Sequence, residues 1–374
     1  MTDKHLHIVC LDVPYPADYG GVFDLFYKIK SLHEAGINIH LHCFEYGRGE
    51  QEELEKYCAS VNYYKRKNSY QSFSFRLPFI VSSRADSGLL KNILKDDYPV
   101  LLEGIHCTYF LHTGDLKNKK VFVRLHNVEY EYYDELSKTT YNIFEKIYFR
   151  IESTLLKKYE HSIAGKATFI AVSEKDKATY LQNCNAQIVK FLPVFLPFDK
   201  VNSEAGRGNF CLYHGNLSVP ENEKAALWLI KNVFNNLEIP FVIAGKNPST
   251  CLETMARGND NICLVANPGE QQMEDLIKKA QVHLLPSFNK TGIKIKLLNA
   301  LFNGKFVITN AAAVEETRLD TLCEIADTEA EYKTLANQLF NANFTEAEIN
   351  KRKKILEKLY NNDANAHQLI QWIW

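Results

Sequence analysis

Short apolar strands alternating with amphipathic helices, begun twice along one chain, constrain this sequence more than any other feature. Leu6–Val13 reads as a buried strand. Asp24–Ala35 follows as a helix, with Phe23, Phe26, Ile29, Leu32 and His33 at helical spacing and Gly36 as its stop. Ile37–Phe44 alternates as a strand, and short buried strands recur at Val100–Leu102, Val121–Leu125 and Ala167–Val172. A long helix is predicted from about Tyr141 to Ile163, carrying Ile143, Ile147, Ile151 and Leu155 in steps of four. Strand alternating with helix is the mark of a parallel sheet flanked by helices.

The pattern restarts past residue 200. Phe191–Asp199 holds two prolines, and Asn202–Gly208 is polar, as a linker should be. Phe210–Tyr213 opens a new sheet and leads through His214-Gly215-Asn216 into a helix at Glu223–Phe234. Strands at Phe241–Ala244, Ile262–Ala266, Val282–Leu285 and Phe306–Thr309 alternate with helices near Gln271–Lys279 and at Lys294–Phe302. The tail from Thr345 reads as two helices broken at Asn361-Asn362-Asp363. The last ends in Leu369, Ile370, Trp372, Ile373 and Trp374, which need burial. The expected architecture is α/β: two Rossmann-like domains, at 1–200 and 201–355, with a helix at 356–374 packing back on the first. Ligands of such sheets bind at the carboxyl ends of the strands.

The 374 residues suit two domains, and 46% apolar residues with 17 Gly and 11 Pro give a large core. A formal net charge of −1 argues against a dedicated nucleic-acid binder. Nine cysteines with no CxxC give neither a disulfide framework nor zinc-ligand spacing, so a reducing, cytoplasmic setting is expected. The apolar stretch in MTDKHLHIVCLDV is too short and interrupted for a signal peptide, and no window approaches about 20 continuous apolar residues, so neither a leader nor a membrane span is expected.

Leu284–Thr309 (LLPSFNKTGIKIKLLNALFNGKFVIT) concentrates the chemistry. A strand ends at Pro286, and Thr291-Gly292-Ile293 opens a helix whose free N–H groups and dipole suit an anion. Lys294 and Lys296 fall in its first turns, where cations cost energy unless an anion meets them. A solvated helix with incidental lysines is the competing reading, and spacing alone leaves the two level.

This string resembles the donor-phosphate loop of family-4 glycosyltransferases with the GT-B fold. Other fragments match in order. Phe210–Glu223 resembles the first strand and loop of the nucleotide domain, and Phe241–Pro248 its second strand and turn. Pro14–Phe23 (PYPADYGGVF) resembles the Gly-rich acceptor-side loop, Arg124–Glu129 (RLHNVE) the His-bearing strand end, and Ala171–Glu174 a late strand end of the first domain.

The resemblance implies transfer of a sugar from a UDP- or GDP-linked nucleotide-sugar to an acceptor hydroxyl. The donor would lie in an interdomain cleft, anomeric configuration would be retained, and neither metal nor cofactor would be needed. Thr291, Gly292 and Ile293 would donate N–H groups to the diphosphate, with Lys294, Lys296 and Lys246 as charge partners. Gly20 and Gly21 would admit close approach of the backbone to the donor phosphate or acceptor. His126 would contact the sugar near its anomeric carbon. Glu103, Asn127 and Glu129 are the acceptor-side candidates. Gly215, Asn216, Asn267 and Glu316 complete the expected donor site.

Two departures stand out. The family's paired glutamates fall here on Thr291 and Asn299, and its Arg/Lys pair on Asn216 and Asn222. Asn299 keeps hydrogen-bonding capacity but not charge. A non-catalytic GT-B subunit scaffolding an active transferase is therefore the alternative, with a GT-B sugar-nucleotide epimerase behind it. Finally, Asn62–Arg84 reads as a loop joining Lys65-Arg66-Lys67 to Tyr63, Tyr64, Tyr70, Phe73, Phe75 and Phe79. Basic and aromatic residues so interleaved suit the inner face of an anionic membrane or a lipid-linked glycan acceptor. Inward packing of the aromatics is the competing reading.

Overall fold

The computed structural model describes residues 3–17, 20–68, 72, 74–140, 142–288, 292–315 and 317–374. They form two compact units. The first runs to Pro197 and is completed by residues 292–293 and Tyr360–Trp374; the second spans Phe198 to Leu359 apart from the 291–293 segment.

The first unit is built on a seven-stranded, all-parallel sheet. Its strands are β1 (Lys4–Cys10), β2 (Ile37–Glu45), β3 (Ser60–Lys65), β4 (Val100–Glu103), β5 (Val121–Leu125), β6 (Thr168–Ala171) and β7 (Val189–Phe191), in the order β3-β2-β1-β4-β5-β6-β7. Because successive side chains point to opposite faces, each strand feeds two cores. Val9, Leu102, Val123 and Phe169 fill one face, and Ile8, Leu101, Phe122 and Ile170 the other. That double burial explains why the strands read as near-continuous apolar runs. The strand order reverses between β1 and β4, and the carboxyl ends of those two strands make the crevice in which open α/β sheets place ligands.

Helix α1 spans Gly20–Glu34, beginning four residues before the expected start, so Gly20 and Gly21 lie in its first turn and not in a preceding turn. It ends where Gly36 adopts φ +80°, a left-handed conformation that suits glycine. Helices α2 (Glu129–Thr139) and α3 (Ile143–Ile163) form a hairpin; Asn142 caps α3 by accepting from the N–H groups of Phe144 and Glu145. α2 was not legible, since EYEYYDELSKT has no aliphatic stripe. α4 covers Glu174–Asn183. Two expectations are corrected. Residues 62–65 are strand, Asn62 lying opposite His42, and not loop; Val189–Phe191 is an added edge strand.

The second unit repeats the plan. Strands β8 (Cys211–His214), β9 (Phe241–Gly245), β10 (Ile262–Ala266), β11 (Val282–Leu284), β12 (Phe306–Thr309) and β13 (Glu324–Ile325) run parallel in the order β10-β9-β8-β11-β12-β13. Helices α5 (Pro220–Asn232), α6 (Thr250–Arg257), α7 (Glu270–Lys279), α8 (Ile295–Asn303), α9 (Glu329–Phe340) and α10 (Glu346–Leu359) accompany them. Pro220 stands in the first turn of α5, where its missing N–H costs nothing. The last helix, α11 (Asn362–Ile373), belongs to the first unit. It lays Ala366, Leu369 and Ile373 among Leu25, Phe26 and Ile29 of α1. The architecture is thus α/β with two Rossmann-like units. Among the described residues no helix is long and apolar enough to cross a membrane.

Candidate functional site

In the first unit, charged side chains converge at the carboxyl ends of β4 and β5. Asp24 and Lys28 stand one turn apart on α1. Lys28 Nζ lies 2.9 Å from Asp24 Oδ2 and 2.8 Å from Glu103 Oε1, at the end of β4. Arg124, on β5, grips Asp24 with two donors, Nε and Nη2, each at 3.0 Å, and donates to the carbonyls of Leu192 and Pro193. Phe195 N–H also donates to Asp24 Oδ1, at 2.9 Å. All four charged residues are at most 1% exposed. Two carboxylates against two cations, with most oxygens bonded, is the arrangement that makes such burial tolerable.

His126 closes this network at its rim. Its Nε2 lies 3.1 Å from Glu103 Oε2, its Nδ1 3.9 Å from Asp24 Oδ2, and its side chain is 11% exposed. Because an ionised carboxylate only accepts, Nε2 carries the proton and donates to Glu103. Burial pushes the Asp24 carboxyl up, but Arg124 and Lys28 outweigh it and hold the group well below the usual carboxylate range. At Glu103 burial is likewise outweighed, by Lys28 and then His126. Asp24, Glu103 and His126 bring ligand-type atoms within 4.8 Å of one another. That spacing would suit a cation, and the Lys28 ammonium already supplies one to both carboxylates.

The acceptor-side candidates divide. Glu103 is wholly buried and bonded to Lys28 and His126, so it positions the histidine and does not face solvent. Glu129 is also buried; desolvation raises its carboxyl to about 7 against the hydrogen bond from Asn127. Asn127, at the start of the loop, is half-buried. Glu160 on α3 is raised by burial to about 8, and it accepts from Tyr130 N–H at 2.9 Å and from the Tyr180 hydroxyl.

In the second unit the strand ends carry amides and hydroxyls. Gly245 ends β9 where an added Cβ would stand 1.8 Å from the Gly215 carbonyl oxygen, so only glycine fits. Lys246 follows it, exposed. Asn216 spends its side chain on Ser218, accepting from its N–H at 3.1 Å and its hydroxyl at 2.7 Å. Asn267 adopts φ +51° and accepts from Asn247 N–H at 2.8 Å, pinning two loops together. Asn299 Oδ1 accepts from Asn303 Nδ2 at 2.9 Å, one turn along α8.

The two lysines of the anion motif part company. Helix α8 begins at Ile295, one residue later than expected, with Lys294 as its N-cap residue. Its first turn has neither a capping side chain nor an acid. Gly292 takes φ +69° just before it. Lys296 instead turns inward, donating to Asn222 Oδ1 at 2.8 Å and Tyr213 Oη at 3.1 Å. Burial lowers its ammonium to about 8 against the pull of Glu221. In this structure Lys296 thus joins α8 to β8 and to the start of α5. Ser287, after β11, donates to Glu221 Oε1 at 3.0 Å. Thr291 and Glu316 lie outside the described residues. Sequence reasoning missed Asp24, Lys28, Arg124, Tyr213, Glu221 and Ser287. Asp24 and Lys28 did carry a signal: charges one turn apart, each immediately before a core residue, Leu25 and Ile29.

Residues 208–341 match the family model described as Glycosyl transferases group 1. An uncharacterized 44.6 kDa protein in the cps region of Klebsiella pneumoniae is 27% identical over 330 residues, covering 83% of this chain and 84% of that protein. Among solved structures, a glycosyltransferase from Rickettsia africae superposes with a TM-score of 0.67 at 13% identity, over 100% of this chain and 98% of its own. WaaG, a glycosyltransferase involved in lipopolysaccharide biosynthesis, gives 0.66 at 11% identity, over 98% and 99%. At these identities the structural likeness speaks for the fold. Residues 208–341 thus match group 1, and the chain shares the GT-B fold along its length, so it is similar to the group 1 GT-B glycosyltransferases that its sequence resembles.

Proposed function

We propose that this protein moves a sugar, most simply a hexose, from a UDP- or GDP-linked donor to an acceptor hydroxyl in the synthesis of a surface polysaccharide or lipid-linked glycan. The observation that carries the reading is His126, held at the rim of a buried charge network at the end of β5. It is the position that the family resemblance gives to the sugar-contacting histidine. The cps-region relative supports the polysaccharide setting.

In this reading the uncapped start of α8, with Lys294 and the exposed Lys246, takes the donor diphosphate. N–H groups and ammonium charge stabilise the leaving group as the anomeric C–O bond breaks. No metal is required for that task. The acceptor oxygen attacks from the face the phosphate leaves, so configuration is retained, and its proton departs with the diphosphate. Glu103 keeps the His126 imidazole in one orientation, so that the exposed edge of the ring meets the sugar. The enzyme would work in the cytoplasm, where nucleotide-sugars are made.

The test is isothermal titration with UDP, GDP and their sugars, followed by donor turnover. Nucleotide binding at micromolar to millimolar strength is expected. Turnover should be lost in His126→Ala while nucleotide binding is kept. The second reading, a non-catalytic partner subunit, draws on Asn299, whose amide is engaged by Asn303 where the family places a glutamate. Nucleotide binding without turnover by the wild type, together with co-purification of a second transferase, would favour it.

A further inference from the structure

The isoleucines whose spacing marked α3 in the sequence do not face a core. Ile143 is 61% exposed, Phe144 80%, Ile147 52% and Ile151 56%, with Tyr148 beside them. The same helix buries its other side through Glu152, Leu156, Tyr159, Glu160 and Ile163. At about 100° per residue, the exposed apolar set covers an arc on the side away from that buried face. Single exposed apolar residues are ordinary, but five on the first three turns of one helix are not.

A second segment brings its own charges to this helix. Phe79 N–H donates to Glu152 Oε2 of α3 at 2.9 Å, tying down the stretch that follows the basic cluster. The Arg66 guanidinium lies 5.0 Å from the Phe79 ring. Phe75, 86% exposed, and the exposed Lys65 and Arg76 belong to the same stretch. Residues 62–79 and 142–151 together contain six basic side chains, Lys65, Arg66, Lys67, Arg76, Lys146 and Arg150, and one acid, Glu145. The chain as a whole is balanced at −1, so this excess is local.

We infer that the outer face of α3 over residues 143–151, with Phe75 and the flanking basic side chains, is a docking surface for an anionic lipid bilayer. The apolar side chains enter the headgroup boundary and the Lys and Arg residues meet lipid phosphates, the division of labour of an interfacial amphipathic helix. A second copy of the chain fits worse. A two-fold contact centred on this stripe would set one basic rim against another, and lysine is depleted from protein interfaces. The inference deepens the lipid-linked acceptor reading and rests on it only for the reason to sit at a membrane.

The experiment is flotation of the full chain with phosphatidylcholine vesicles, with and without phosphatidylglycerol, run beside nucleotide titration. Wild type should float with the anionic vesicles. Phe144→Ser/Ile147→Ser and Lys146→Glu/Arg150→Glu should each lower the bound fraction about tenfold, while nucleotide affinity stays at the wild-type value and reports an intact fold. Equal flotation of wild type and both variants, or no preference for anionic vesicles, overturns the inference. So does a dimer in lipid-free sedimentation that Phe144→Ser/Ile147→Ser dissolves. Loss of nucleotide binding with flotation intact would instead remove the transferase reading and leave the docking surface standing.

Discussion

The two units present the same sheet plan but finish their strand ends in opposite ways. In the first, Asp24, Lys28, Glu103 and Arg124 form a buried, charge-balanced lattice with His126 at its edge. In the second, neutral groups satisfy one another locally: Asn216 with Ser218, Asn267 with Asn247, Asn299 with Asn303. Lys246 and Lys294 stand at loop and helix ends. The difference teaches how each site is coupled to folding. A buried charge lattice ties the positioning of His126 to the stability of its unit. Amides paired within their own loops carry no such long-range coupling.

The sharpest break in that contrast is Lys28→Met. Removing one cation leaves Asp24 and Glu103 buried with less compensation, and a loss of about 3–5 kcal/mol is expected by chemical denaturation. Adding Glu103→Gln should recover part of it, which a mere packing defect would not show. Lys294→Ala, by contrast, should leave denaturation within about 0.5 kcal/mol of wild type. It should weaken nucleotide binding by about 2 kcal/mol in titration calorimetry.

A smaller, pH-dependent effect separates the first unit further. The Glu160 carboxyl is raised to about 8 in the folded chain, so folding takes up its proton. Its contribution is complete below the unfolded value of about 4.3 and is lost as pH rises through the folded value. Glu160→Gln removes that loss. The variant should gain on wild type by about 1 kcal/mol between pH 5 and pH 6 in paired denaturation curves. The smallest effect is expected at Asn299→Glu, which restores a charge where the family resemblance places one. Stability should stay within about 0.5 kcal/mol, and nucleotide affinity should rise a few-fold.

Most of the fold was legible because double-sided burial writes most parallel strands as apolar runs; β1, β4, β5, β8, β9, β11 and β12 announce themselves that way, and β2 by alternation. α2 and β7 were not legible, since the helix lacks an aliphatic stripe and the strand, Val-Lys-Phe, has a lysine at its middle. The site was half legible. His126 and Lys294 sit at a strand end and a helix start, positions that sequence spacing marks. Arg124 and the long-range partners of Asp24, up to 171 residues away, leave no local pattern; only the Asp24–Lys28 spacing on one helix does. Lys296 shows the limit from the other side: spacing groups it with Lys294 as a phosphate cation, whereas its ammonium reaches Tyr213 and Asn222 on other elements. Ile143, Ile147 and Ile151 make the same point for periodicity. It reveals that a helix has an apolar face, not what covers that face.

In the proposed transferase the second unit binds the nucleotide while His126 of the first serves the sugar. Titration calorimetry of wild type, Lys294→Ala and His126→Ala with the preferred nucleoside diphosphate tests it most directly. Binding weakened about 30-fold in Lys294→Ala and unchanged in His126→Ala is the predicted result. No nucleotide bound by the wild type at millimolar concentration, or equal losses in both variants, would contradict it.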